Sequence, residues 1–158
     1  MIVDSMGYSS PGCVGDLVAD ITPFDNELDL EVYGTACVSQ YGYGIIFTGS
    51  LKGLEDGVTG GFHIHAGTDC APANQGGHYF EGTVPTCGVA TDPWTPTYSA
   101  TYTSTDQGEA APSNYNPGLK VGTVPFTTSA DDSECGVAGH TVIVHASDGT
   151  RIGCGVLA

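Results

Sequence analysis

Positive charge is almost missing from this 158-residue chain: Lys52, Lys120 and Arg151 face 18 acidic side chains, and the formal net charge is -15. Phosphates are neutralised by clustered Lys and Arg, so nucleic acid and anionic membrane surfaces are excluded as partners. The same field repels any small anion from a distance, and a chain that acts on one needs a local exception. No C-x-x-C pair occurs among Cys13, Cys37, Cys70, Cys87, Cys135 and Cys154, which argues against a zinc ribbon or a thioredoxin-type motif. N-x-S/T is absent, and no apolar run approaches the length of a membrane span. Met1 to Gly7 lacks the basic segment and apolar run of a secretory leader. The expectation is a mature fragment or excised domain, with targeting segments, and room for similar neighbouring domains, elsewhere in a longer precursor.

What is present points to strands. Glycine occurs 24 times and proline nine times among short runs of Thr, Val and Tyr, a mixture that favours many strands joined by tight turns. The length suits one domain over residues 1–158. Strands are expected at Asp16 to Phe24, Glu27 to Tyr33, Gly44 to Lys52, Gly61 to His65, Thr97 to Ser104, Val121 to Thr127, Thr141 to His145 and Ile152 to Leu157. Pro23, Asp25-Asn26, Glu55-Asp56-Gly57, Asp106 to Gly108 and Asp148-Gly149 supply the turns between them. The fold class read from this spacing is all-β, a sandwich or flattened barrel of about eight strands. Ala66 to Pro96 lacks periodicity and holds Cys70, His78 and Cys87, as a functional loop would. Six widely spaced cysteines suit three disulfides in an oxidising compartment; six buried thiols in a cytosolic protein are the alternative.

The histidines carry the chemistry. In Gly61-Phe62-His63-Ile64-His65 the alternation of a strand sends both imidazoles to one face and Phe62 and Ile64 to the core. Such a pair can donate two nitrogens to one metal ion, or be two exposed strand histidines. In Thr141-Val142-Ile143-Val144-His145 the same alternation turns His145 away from the core residues Val142 and Val144. Taken alone, this segment reads equally as a strand with a surface histidine at its end. His140 lies an odd number of residues away from His145, points to the other face and is not expected to be a ligand. Imidazole suits copper, zinc, iron and nickel; four histidines without a thiolate or an obligatory carboxylate favour copper, with zinc as the redox-inert alternative.

From about Ile45 to Ala158 the motif order resembles the Cu-Zn superoxide dismutase superfamily. The matching segments are Gly49-Ser50-Leu51-Lys52-Gly53-Leu54, Gly61-Phe62-His63-Ile64-His65, Cys70, Gly77-His78, Gly139-His140-Thr141-Val142-Ile143-Val144-His145 and Arg151-Ile152-Gly153-Cys154-Gly155-Val156. The resemblance implies a Greek-key β-sandwich of antiparallel strands. It implies that His63, His65, His78 and His145 bind one copper, with His78 at the position that bridges to zinc in the family and takes up a proton during turnover. It further implies a Cys70–Cys154 disulfide, and an Arg151 that attracts superoxide to the metal.

The departures from the family are specific. No histidine occurs between Tyr79 and Gly139, so the zinc ligands are missing, and only Ala146 to Thr150 separates His145 from Arg151, where the family carries a long charged loop. Both losses resemble the copper-only branch, whose members are extracellular or at the cell surface. Without zinc, His78 needs another partner to orient it, and Glu81, Asp92 and Glu109 are candidates. The implied activity is disproportionation of superoxide to O2 and hydrogen peroxide. A copper-buffering module and a structural or adhesion domain on a degenerate copy of the fold are the rivals.

Overall fold

The computed structural model describes residues 16–41, 44–79, 94, 101–111, 126–128 and 135–158. Among these the chain is all-β. Seven strands run β1 (Leu17–Pro23), β2 (Tyr33–Tyr41), β3 (Gly44–Lys52), β4 (Thr59–His65), β5 (Thr101–Thr103), β6 (Thr141–His145) and β7 (Arg151–Val156), with one 3-10 turn at Pro72–Asn74. Every pair is antiparallel and the sheet order is β3-β2-β1-β7-β6-β4-β5, a curled half-barrel. The first strand thus lies beside the last, the long-range return that a Greek-key arrangement requires. No helix among the described residues is long and apolar enough to cross a membrane.

The concave face of the sheet is closed by Ile21, Val38, Phe47, Phe62, Ile64 and Val144, each at most 2% exposed. Burying a side chain of this size contributes roughly 1.5–3 kcal/mol. Phe47 stands edge-on to Phe62 at 5.1 Å and to Trp94 at 6.1 Å, which ties β3 to β4 across the core. Phe62 and Ile64 face inward as alternation requires, and so do Val142 and Val144.

Six of the eight expected strands are present with shifted ends or as expected. Glu27 to Tyr33 is not one of them. Its apolar alternation mimics a strand, but the Asn26 side chain takes over its backbone groups. Asn26 Oδ1 accepts from the N–H groups of Leu28 and Leu30, and Nδ2 donates to the carbonyls of Phe24 and Leu30. Asp29 adopts a φ of 55°, and the segment closes as a turn. The strand in question begins at Tyr33 and continues to Tyr41. Most of Val121 to Thr127 lies outside the described residues; Thr127 forms an isolated bridge with Gly136.

Candidate metal centre

β4 and β6 are neighbours, with Phe62 opposite Val144 and His63 opposite Ile143. This register puts His63, His65 and His145 on the same, non-core side of the sheet. They point away from the core as alternation requires, but His63 and His145 are only partly exposed and His65 is buried. After β4 the chain folds back: Ala66 N–H donates to Gly77 O at 2.8 Å, Gly67 N–H to Gln75 O at 2.8 Å, and Tyr79 N–H to Ile64 O at 2.9 Å. The return lays His78 beside His65 as an isolated bridge, and leaves His65 only 2% exposed.

Four imidazoles therefore converge. Ring centroids lie 4.7 Å apart for His63 and His145, 4.8 Å for His63 and His78, 5.0 Å for His65 and His78, and 5.4 Å for His65 and His145. One nitrogen from each of the four lies within 4.8 Å of all the others, so the group can hold one metal ion. His63 reaches the cluster because position 61 is glycine: a Cβ there would stand 2.5 Å from His63 Nε2.

The hydrogen bonds choose the ring nitrogens. His65 Nδ1 donates to Gly76 O at 3.0 Å and His145 Nδ1 to Gly149 O at 3.0 Å, and a carbonyl can only accept. In the neutral rings both Nε2 atoms are then bare, and they face each other at 3.3 Å. Two nitrogens bound side by side to one ion at ~2.0–2.1 Å stand about 3 Å apart, so the spacing fits a shared cation. His63 Nδ1 is buried with no hydrogen-bond partner. An orphaned buried nitrogen is costly in a finished fold, and a metal ion removes that cost.

Burial sets the protonation states. It holds His63 down at about 2, with the neighbouring imidazoles of His145, His78 and His65 adding to the effect. It holds His65 at about 3, opposed by the bond to Gly76 and helped by His145, Arg151 and His78. His145 is lowered too, again mainly by burial. All three are neutral imidazoles at physiological pH, the form in which a ring nitrogen can bind a metal ion.

Arg151 faces His145 across β6 and β7. Its guanidinium donates to Gln75 Oε1 and to Gly76 O, both at 2.8 Å, and Gly76 O is the carbonyl that also accepts from His65. The cluster and the only arginine thus share one acceptor. A disulfide joins Cys70 to Cys154, closing a separation of 84 residues and fastening the returning loop to β7. Cys37 and Cys135 are disulfide-bonded as well, and among the described residues no cysteine is free.

His63, His78 and His145 open onto a cleft of about 610 Å³ whose walls include Gly60, Trp94, Thr101 and Ser147. Its rim is the tight turn after β6, closed by Ala146 N–H to Thr150 O at 2.7 Å. Glu55 grips that turn, accepting from Ser147 N–H at 2.8 Å and from Ser147 Oγ at 3.2 Å. Tyr102 donates to His145 O at 2.6 Å. His140 stays out of the cluster: it is buried, stacks on Tyr79 at 4.0 Å and donates from Nδ1 to Ala66 O. Of the carboxylates suggested for His78, Glu109 lines a different cleft with Lys52 and Thr103, while Glu81 and Asp92 lie outside the described residues. Glu55, Gln75 and Tyr102 were not foreseen. Nothing local in the sequence marks them, since their partners lie 92, 76 and 43 residues away.

No protein-family model matches the chain. Over 65 residues, 41% of its length, it is 34% identical to the Cu-Zn superoxide dismutases of Neisseria meningitidis serogroup A and of Haemophilus parainfluenzae. The matched stretch covers 33% of each, so the chain spans about a third of the length of the curated relatives it matches. This similarity supports kinship with the Cu-Zn superoxide dismutase superfamily, in agreement with the β-barrel fold and the histidine cluster.

Proposed function

We propose that residues 1–158 form a single copper-dependent superoxide dismutase domain that works without zinc and outside the cell. The observation that carries this reading is the cluster of four imidazoles, in which the buried His63 Nδ1 has no hydrogen-bond partner and beside which Arg151 is held. His63, His65, His78 and His145 would hold the ion. The absence of histidine between Tyr79 and Gly139 supports a site without zinc, and the bonded cysteines support an oxidising compartment.

Copper, when bound, supplies one-electron exchange, so that two superoxide anions and two protons become one O2 and one hydrogen peroxide. The chain's own residues prepare that exchange. Gly76 and Gly149 keep the Nδ1 protons of His65 and His145 in place, which leaves Nε2 bare for the ion. Arg151 attracts the anion by a local positive charge in an otherwise negative molecule. His78, half-buried at the cleft, carries a proton on a ring nitrogen to the reduced anion, and water supplies the rest.

The net charge of -15 favours one other reading, a copper-buffering module on the same fold, because the whole-molecule field slows the approach of superoxide. Metal analysis after exposure to copper and zinc together tests the ligand set. One copper per chain and no zinc is expected; stoichiometric zinc beside copper, or zinc in its place, refutes the copper-only reading.

A further inference from the structure

Gln75 is a fully buried polar side chain, 0% exposed, in the loop that returns from β4 to His78. Each end of its amide has one partner. Oε1 accepts from Arg151 Nη1 at 2.8 Å, and Nε2 donates to the Cys70 carbonyl at 3.0 Å. Its backbone carbonyl accepts from Gly67 N–H at 2.8 Å. A Cβ on Gly67 would collide with that carbonyl and with Asn74 O, so the packing there leaves the loop no slack. Cys70 is itself bonded to Cys154, three residues along β7 from Arg151. The chain of contacts is closed: β7, disulfide, Cys70 carbonyl, Gln75 amide, guanidinium, β7.

We infer that Gln75 is a positioning residue that aims the Arg151 guanidinium at the histidine cluster while leaving its positive charge uncancelled. Two acceptors, Gln75 Oε1 and Gly76 O, hold separate nitrogens of the planar guanidinium, which fixes its orientation as a single bond does not. Eighteen carboxylates stand against three cationic side chains, so an acidic partner for Arg151 is the commonest one this composition offers. Both of its observed side-chain contacts are instead neutral oxygens, and among the described residues no carboxylate pairs with it. A neutral amide satisfies the guanidinium without forming an ion pair, and the remaining N–H donors keep their attraction for an anion.

The inference rests on the reading of Arg151 as the anion guide. Its test uses azide, a small anion whose binding to Cu(II) is followed by charge-transfer absorbance, on copper-loaded protein with copper per chain measured for each variant. Gln75→Leu keeps the volume but removes both bonds, and is expected to weaken azide binding about 3- to 10-fold at unchanged copper content. Gln75→Glu is expected to weaken it at least as much, because the carboxylate cancels the charge although it still accepts from Arg151. Arg151→Lys leaves the buried position untouched and keeps the charge without the two-point hold, and it too is expected to lose affinity. In the Arg151→Ala background, Gln75→Leu should have no further effect, since contacting residues are not additive. Unchanged azide affinity in Gln75→Leu and Gln75→Glu, or an undiminished effect of Gln75→Leu when Arg151 is alanine, overturns the inference. Superoxide decay by the wild-type protein is recorded alongside. Azide results as expected with no superoxide turnover would refute the dismutase reading and leave the role of Gln75 standing.

Discussion

His63 and His140 are both largely hidden histidines, yet the structure treats them in opposite ways. His63 Nδ1 has no hydrogen-bond partner, whereas His140 Nδ1 donates to Ala66 O and its ring lies on Tyr79. His63→Ala and His145→Ala are therefore expected to abolish tight copper binding, read as copper retained after dialysis against a weak chelator. His140→Ala is expected to retain copper and to lose roughly 1–3 kcal/mol of stability in denaturant unfolding, from lost stacking and the carbonyl left without a donor. Loss of copper in His140→Ala would remove the distinction. At this scale much was legible: strand alternation alone sorted Phe62, Ile64, Val142 and Val144 inward, and put His63, His65 and His145 on one face. The burial of His65 was not legible, because it depends on a loop whose path is set by bonds between Ala66–Gly67 and Gln75–Gly77.

Elements explain why the cluster is compact. β4 delivers two histidines, the end of β6 a third, and the returning loop the fourth, while Tyr102 on β5 holds the His145 carbonyl from the other side. Gly61 is the space that lets the His63 ring lie back along its own strand. Gly61→Ala is expected to displace that ring and weaken copper binding at least tenfold, with the strand itself preserved. The fluorescence of Trp94, the only tryptophan, reads this, because its ring lies 6.0 Å from that of His63 and bound Cu(II) quenches it. Wild-type quenching curves in Gly61→Ala would show that the glycine is incidental. The sequence placed β3 and β6 correctly end to end, since their apolar patterns are uninterrupted. It misplaced β2, because an alternating pattern at Glu27 to Tyr33 does not reveal that one asparagine side chain satisfies the backbone there. The Cys70–Cys154 bond was implied by resemblance and is present; its loop closure contributes about 4–5 kcal/mol in the chain-entropy account.

Across the whole molecule, protons and salt report on the same site. In the metal-free fold His63 titrates near 2 and His65 near 3, each well below the ordinary 6.5, through burial first and neighbouring imidazoles after it. Between pH 6.5 and about 3 the unfolded chain binds protons that the folded chain refuses. Stability of the metal-free protein therefore falls as pH is lowered through that window. Its Tm is expected to decline from pH 7 to pH 4, with a shallower slope in His63→Gln; identical slopes would mean the cluster does not govern acid stability. The field of the -15 net charge is screened by salt beyond roughly 8 Å at about 0.15 M and reaches further as the salt is lowered. Lowering the salt should therefore slow the approach of superoxide most in Arg151→Ala, where the local attraction is gone and the acidic surface is unmasked.

Turnover at the histidine cluster separates a dismutase from a module that only holds copper. The direct measurement is superoxide decay, followed by its ultraviolet absorbance, with protein carrying one copper per chain against metal-free protein and His63→Ala treated with the same copper. Catalytic decay over many turnovers by the copper-loaded chain alone, yielding O2 and hydrogen peroxide in equal amounts, is the predicted result. Decay no faster than that of the metal-free protein, at full copper occupancy, would contradict it and leave a copper-holding module in its place.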